Sequence, residues 1–368
     1  MEITRRNLLA GTAYLATGPA NARAAENAAG PSQGELAESL GVLAGNRGKL
    51  FGSAFDVSVL SNPRYARLIK HHARILTTDN ALKFSALRGS GPIADFSDAD
   101  RVVAFAANAK LPVRGHCLVW NEWAPKWLFK ETMARRIYWM DRHIDETAGR
   151  YAGRLHSWDV VNEPIWPEHN NPGALRGGPW YAAMGASYIT RAFKRAAQAD
   201  PTTKLVLNEA GTEWVSPRRD LFRKSIVDVI RKVRDGGGKV DAVGMECHWR
   251  PGLKFESAVL EDWIARLGEM KLEVYFTEID VRTEKMPGSV PLVDQTVARF
   301  YGQLARVAVR RPEVKAFSTW QLADSENYMW GEDPAALRKP RPLPFDENYN
   351  PKTAYAALAN AFRESPRA

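Results

Sequence analysis

The segment Trp158-Asp159-Val160-Val161-Asn162-Glu163-Pro164 joins an apolar run to an amide and a carboxyl at its end. A buried strand of this kind presents Asn162 and Glu163 side by side. The amide can hold a sugar hydroxyl while the neighbouring acid protonates a glycosidic oxygen. A second run, Leu272-Glu273-Val274-Tyr275-Phe276-Thr277-Glu278-Ile279-Asp280, brings Glu278 near its own end. Cleaving a glycoside needs an acid for the leaving oxygen and a carboxylate for the positive charge that develops at the anomeric carbon, and these two glutamates fit the pair. A separation of about 5 to 5.5 Å would mean retention of configuration and about 6.5 to 9.5 Å inversion, a distance that sequence does not supply. For either glutamate alone a structural ion pair is the competing reading, although function is favoured; as a strand-end pair they point more strongly to catalysis.

Other polar residues gather at the ends of apolar runs: Asp79 and Asn80, His116 and Trp120, Asn208 and Glu209, Glu246 and His248, Asp280, and Trp320. Alternation along a strand lets His248 share the inward face with Glu246, and Asp280 with Glu278. A histidine held by one carboxylate and donating to another would keep Glu278 ionised; the alternative is a satisfied core histidine. Trp120 and Trp320 offer flat apolar faces for pyranose rings, or rim packing. His71 and His72 fall on an early helical run and read as surface or packing residues. Cys117 and Cys247, the only cysteines, adjoin His116 and His248. The same alternation turns them away from those histidines, so free buried thiols are expected and a Cys/His metal site is not.

To hold these residues on one rim, the chain needs a scaffold whose strand ends converge. Eight short apolar runs recur, at 51–57, 74–78, 112–119, 155–163, 204–209, 240–248, 272–280 and 315–322, with helical patterns between them. The clearest helical intervals are 131–151, 181–199, 216–234 and 292–311, with Asp200-Pro201 and Gly236-Gly237-Gly238 as stops. Strands alternating with helices imply parallel pairing through right-handed crossovers, and eight such units predict an α/β fold, a closed (β/α)8 TIM barrel. Its chemistry lies at the carboxyl ends of the strands. At 368 residues one domain accommodates the chain.

Thr4-Arg5-Arg6-Asn7-Leu8-Leu9, a moderately apolar stretch to about Ala20 and Ala22-Arg23-Ala24 have the order of a twin-arginine export signal, with cleavage expected after Ala24. Residues 25–36 are small and polar and read as a flexible lead-in, which leaves 37–368 as the catalytic domain. The formal charge of +9 falls to about +7 without residues 1–24. Such a surface could attract acidic polymers, including xylans with uronic acid groups, although a solvated surface is the simpler reading. No basic run interleaved with aromatics marks nucleic-acid binding, and no later stretch approaches the ~20 apolar residues of a membrane span.

The motifs Phe51-Gly52-Ser53-Ala54, Asn80-Ala81-Leu82-Lys83, Arg114-Gly115-His116, Trp120, Trp158 through Pro164, Thr277-Glu278-Ile279-Asp280, Trp320 and Pro344-Phe345-Asp346 to Pro351-Lys352 together resemble glycoside hydrolase family ten, the retaining endo-β-1,4-xylanases of clan A. The resemblance covers most of the chain after the leader. It implies Glu163 as acid/base and Glu278 as nucleophile, with Asn162 holding a sugar 2-hydroxyl. Asn80, Lys83, His116 and Trp120 would line sugar sites beside the cleavage point, with Trp320 as a platform. Glu246 and His248 are further substrate-facing candidates, and His248 and Asp280 would support the nucleophile. No metal or organic cofactor is implied for the chemistry. The expected partner is xylan or its oligosaccharides, met by an exported monomer, periplasmic or secreted.

Four positions depart from the family pattern: Asp79 for Glu, Asn121 for His, Glu246 for Gln, and Tyr328 for a second Trp that Trp330 could replace. Glu246 beside an ionised nucleophile is expected to take up a proton and donate as an amide would, or else to turn towards an arginine such as Arg250. These departures leave open a β-glycosidase preferring short xylo-oligosaccharides or other β-glycans. A catalytically silent glycan-binding barrel is the remaining alternative.

Overall fold

The structure is a computed structural model and describes residues 30–329 and 335–364. The expected leader and Trp330 lie outside the described residues.

The eight expected runs become parallel strands that close on one another. They are β1 (Leu50–Phe55), β2 (Ile75–Thr78), β3 (Val113–Trp120), β4 (Ser157–Asn162), β5 (Lys204–Glu209) and β6 (Ala242–Met245), followed by β8 (Glu273–Val281) and β9 (Val314–Thr319). The two-residue β7 (His248–Trp249) adds to the upper part of β8. Each barrel strand pairs with its neighbours in chain order, β6 pairs with β8, and β1 pairs with β9 to close the ring. The strands are buried along nearly their whole length, as expected for a parallel sheet covered by helices. The run 240–248 is not one strand, because Cys247 takes φ +60° and breaks it between β6 and β7.

Helices cover the outside. Met133–Arg150 begins at Thr132, whose hydroxyl accepts from the Arg135 N–H, and buries Trp139, Met140, His143, Ile144 and Thr147 on one stripe. Pro217–Asp235 starts from Ser216 with proline in its first turn and stops at the expected glycines. The interval 181–199 is two helices, Pro179–Met184 and Ser187–Ala199, separated where Gly185 adopts φ +57°.

The expected lead-in is ordered at its end. Gln33–Leu36 form one helical turn capped by Ser32 and Glu35, and the Gly34 N–H donates to Tyr349 O at 3.0 Å. His72 Nε2 meets Gly34 O at 2.9 Å, while its Nδ1 accepts from the Leu40 N–H, making it the packing residue the sequence suggests.

Inside the ring, Val206, Ala242, Tyr275 and Ala316 form a small apolar cluster. The Arg114 guanidinium stands over the Tyr275 ring at 5.6 Å and donates to Asp159 at 2.5 Å. His116 Nδ1 lies 2.9 Å from the other Asp159 oxygen, so the buried aspartate joins β3 to β4. An apolar base therefore passes into a polar network directly beneath the opening.

Candidate active site

Glu163 directly follows β4 and takes φ +45°, a strained conformation for an L-residue that its surroundings must fix. Its N–H donates to Asn208 O, and the next free amide, Ile165 N–H, donates to the buried Glu209 carboxylate. Arg176, from the loop after β4, donates Nε to Glu163 O at 2.8 Å and Nη2 to Glu163 Oε2 at 2.9 Å. Trp120 Nε1 donates to the same oxygen at 3.2 Å. Burial raises the Glu163 carboxyl, with Glu122 and Glu278 adding to the shift and Arg176 opposing it. The net upward direction suits a group that must hold a proton before it gives one.

Glu278, near the end of β8, is in the opposite condition. Burial alone would raise it, yet His116 and His248 outweigh that effect and hold it at about 2. His248 Nε2 is 3.4 Å from Glu278 Oε2, and its Nδ1 is 2.9 Å from Asp280 Oδ1. Burial would discharge this histidine, but Asp280 and Glu278 raise it well above its ordinary value. A cationic ring between two carboxylates keeps Glu278 ionised and oriented.

Asn208 at the end of β5 ties the site together. Its Nδ2 donates within 2.8 Å of Asn162 Oδ1, 2.8 Å of Glu278 Oε1 and 3.2 Å of Glu246 Oε1, and its Oδ1 accepts from Thr277 Oγ1. Gly244 makes room for this amide, since a Cβ there would sit 2.1 Å from Asn208 Oδ1. Glu246 is pushed well above the carboxylate range, by burial first and by Glu278 next. It faces Asn208 and His248, and no described contact joins it to Arg250.

On the β2–β3 side a lysine stands among three tryptophans. The Lys83 ammonium donates to Asn80 Oδ1 at 3.0 Å and sits 5.4, 5.4 and 5.7 Å from the ring centres of Trp120, Trp123 and Trp320. Trp123 stacks parallel on Trp120 at 5.7 Å and is half exposed. Trp320 stands edge-on to His116. Asp79 accepts from Gln321 Nε2 at 2.8 Å, so its short arm is held inside the rim. Asn121 is not in this group: its Oδ1 accepts from the N–H groups of Trp180 and Tyr181 and caps the helix Pro179–Met184. Tyr328 lies on the far side, edge-on to His248 at 6.3 Å.

The structure thus gathers Asn80, Lys83, His116, Trp120, Asn162, Glu163, Glu246, His248, Glu278, Asp280 and Trp320 at one mouth. Sequence reasoning missed Arg176 and Trp123, and placed Asn208 at the rim without a role. Arg176 follows a loop with no periodic signal, whereas Trp123 stands three residues after Trp120 and could have been read with it.

A closed (β/α)8 barrel carrying two glutamates at strand ends, one raised by burial and one lowered by neighbouring histidines, is the architecture of a glycoside hydrolase. Residues 39–361 match the family model described as Glycosyl hydrolase family 10. The chain is 32% identical over 310 residues to a beta-1,4-xylanase of Dictyoglomus thermophilum, covering 81% of this chain and 85% of that protein. It is 28% identical to endo-1,4-beta-xylanase B of Thermotoga neapolitana, covering 82% and 84%. Among solved structures, xylanase 10B from Thermotoga petrophila RKU-1 in complex with xylobiose superposes with a TM-score of 0.80 at 26% identity, covering 88% of this chain and 97% of that one. The protein belongs to glycosyl hydrolase family 10.

Proposed function

We propose that the protein is a retaining endo-β-1,4-xylanase in which Glu278 is the nucleophile and Glu163 the acid/base. The observation that carries this assignment is the contrasting setting of the two glutamates: Glu163 is raised by burial, and Glu278 is lowered by His248, whose Nε2 lies 3.4 Å from its Oε2, and by His116. The Glu278 carboxylate attacks the anomeric carbon as the glycosidic C–O bond breaks, and the leaving oxygen takes the Glu163 proton. Glu163, now a base, removes a proton from water that attacks the same carbon and releases Glu278. Asn162 holds the 2-hydroxyl of the reacting sugar, and Lys83, Asn80 and the tryptophans seat the rings beside it. Reducing-end release and product sizes from xylan test the reading, with Glu278→Ala as control. Xylo-oligosaccharides that vanish in the variant support it, and none from the native chain sinks it.

A cleft favours a finer substrate choice. About 600 Å³ in volume, it lies beside His248 and is lined by Arg219, Arg250, Arg282, Trp249 and Tyr328, with no carboxylate among the described residues of its lining. In ring order it stands across the opening from Lys83, where the other end of a bound chain would pass. Xylan bearing uronic acid groups matches that charge. Faster hydrolysis of glucuronoxylan than of its carboxyl-reduced form is expected, and equal rates would remove the preference. The export reading of residues 1–24 and a monomeric state complete the proposal. Cell fractionation and sedimentation test these two points.

A further inference from the structure

We infer that Glu246, His248 and Glu278 form an inhibitory site for a borderline divalent cation, of which zinc is the type. Asn208 engages Oε1 of both glutamates. This leaves Oε2 of each turned towards His248 Nε2, at 3.7 Å for Glu246 and 3.4 Å for Glu278. Two carboxylate oxygens and one imidazole nitrogen therefore converge, with one donor atom from each residue lying within 4.8 Å of the others. A tetrahedral zinc ion with bonds of about 2.0 to 2.2 Å requires donor separations of roughly 3.3 to 3.6 Å. The two separations from His248 nearly satisfy this before any ion enters.

The surroundings match the same chemistry. Asp280 Oδ1 lies 2.9 Å from His248 Nδ1, close enough for the carboxylate to favour that nitrogen's proton and leave Nε2 to a metal. One nitrogen with two oxygens suits zinc and its transition-metal neighbours better than magnesium or calcium, which favour all-oxygen shells. His248 is part exposed at the mouth, which gives an ion a route in and leaves a fourth position for water. Glu246 is the residue that makes the set: a glutamine there would offer a neutral carbonyl oxygen in place of a second carboxylate. The ion takes the place of the protons on His248 Nε2 and Glu246 and occupies the oxygen that would attack the sugar.

Zinc chloride titrated calorimetrically into the chelator-treated full chain tests the site. One ion per chain is expected, together with inhibition of xylan hydrolysis that is competitive with substrate and reversed by EDTA. In Glu246→Gln, zinc affinity should fall at least about tenfold. Equal affinity in that variant, or no stoichiometric binding at millimolar zinc, overturns the inference. If E246Q fails to fold, as circular dichroism would reveal, saturating xylobiose added to the native chain reads the same site: weakened zinc binding supports it and unchanged binding overturns it. The competition with sugar rests on the proposed function, whereas the titration of zinc alone does not. Zinc binding without any turnover of xylan would separate the two.

Discussion

At the residue scale, the site sets two carboxyl groups to opposite states by surrounding them differently. Glu163 shares one oxygen with Arg176 and Trp120 in a buried corner, and Glu278 faces two histidines. Glu163→Gln should lower kcat on xylan by about 10² to 10⁴ and by much less on an aryl β-xylobioside whose phenolate leaves unaided. Equal losses on the two substrates would remove Glu163 as the acid. Burial and Glu278 raise Glu246, so it keeps its proton to higher pH than an ordinary carboxyl, and activity should fall as pH rises through its titration. Glu246→Gln, assayed in chelator, should extend the alkaline limb of the pH profile, and an unmoved limb would refute this role. The paired glutamates were legible because each ends an apolar run. Asn208 was not, because its role lies in the convergence of Asn162, Glu246 and Glu278, which belong to three other strand ends.

At the element scale, all eight barrel strands were visible as apolar runs, since strands buried on both faces carry no polar alternation to confuse them. The breaks were harder to see. Cys247 and Gly185 interrupt runs through backbone conformations that hydrophobic patterning does not encode. Three histidines link these elements to acid stability. Burial holds His72 at about 3 and His156 at about 4, and His143 well below its ordinary value. The folded state keeps them neutral, while the unfolded chain gains protons below about 6.5. Their effect on stability is therefore absent above that value and grows unfavourable as pH falls from about 6.5 towards 3. Thermal unfolding followed from pH 7 to pH 4 should show Tm falling, with a shallower slope in His156→Gln. Parallel curves would discount His156. Gly244→Ala, which drives a methyl into the Asn208 amide, should lower both Tm and kcat.

At the scale of the whole molecule, the two ends of the described chain hold one another. The turn Gln33–Leu36 bonds to Tyr349, Glu35 pairs with Arg67, and Arg47 donates to the carbonyls of Phe362 and Arg363. Removing residues up to Leu36 should therefore cost about 1 to 3 kcal/mol and lower Tm by several degrees. An unchanged Tm would show the turn to be dispensable. The sequence hid this turn because its residues are small and polar; burial of Gly34 beneath Tyr349 is a tertiary fact.

The seam between β1 and β9 also sets a clock. Leu50 must find Ala316 and Ser53 must find Thr319, so the first strand leaves the ribosome with one edge bare until nearly the whole chain has followed. At about 5 to 20 residues per second that wait lasts tens of seconds, during which the edge can pair with a stranger. Expression yield should consequently respond to translation speed and to chaperones more than to the equilibrium stability of the finished ring.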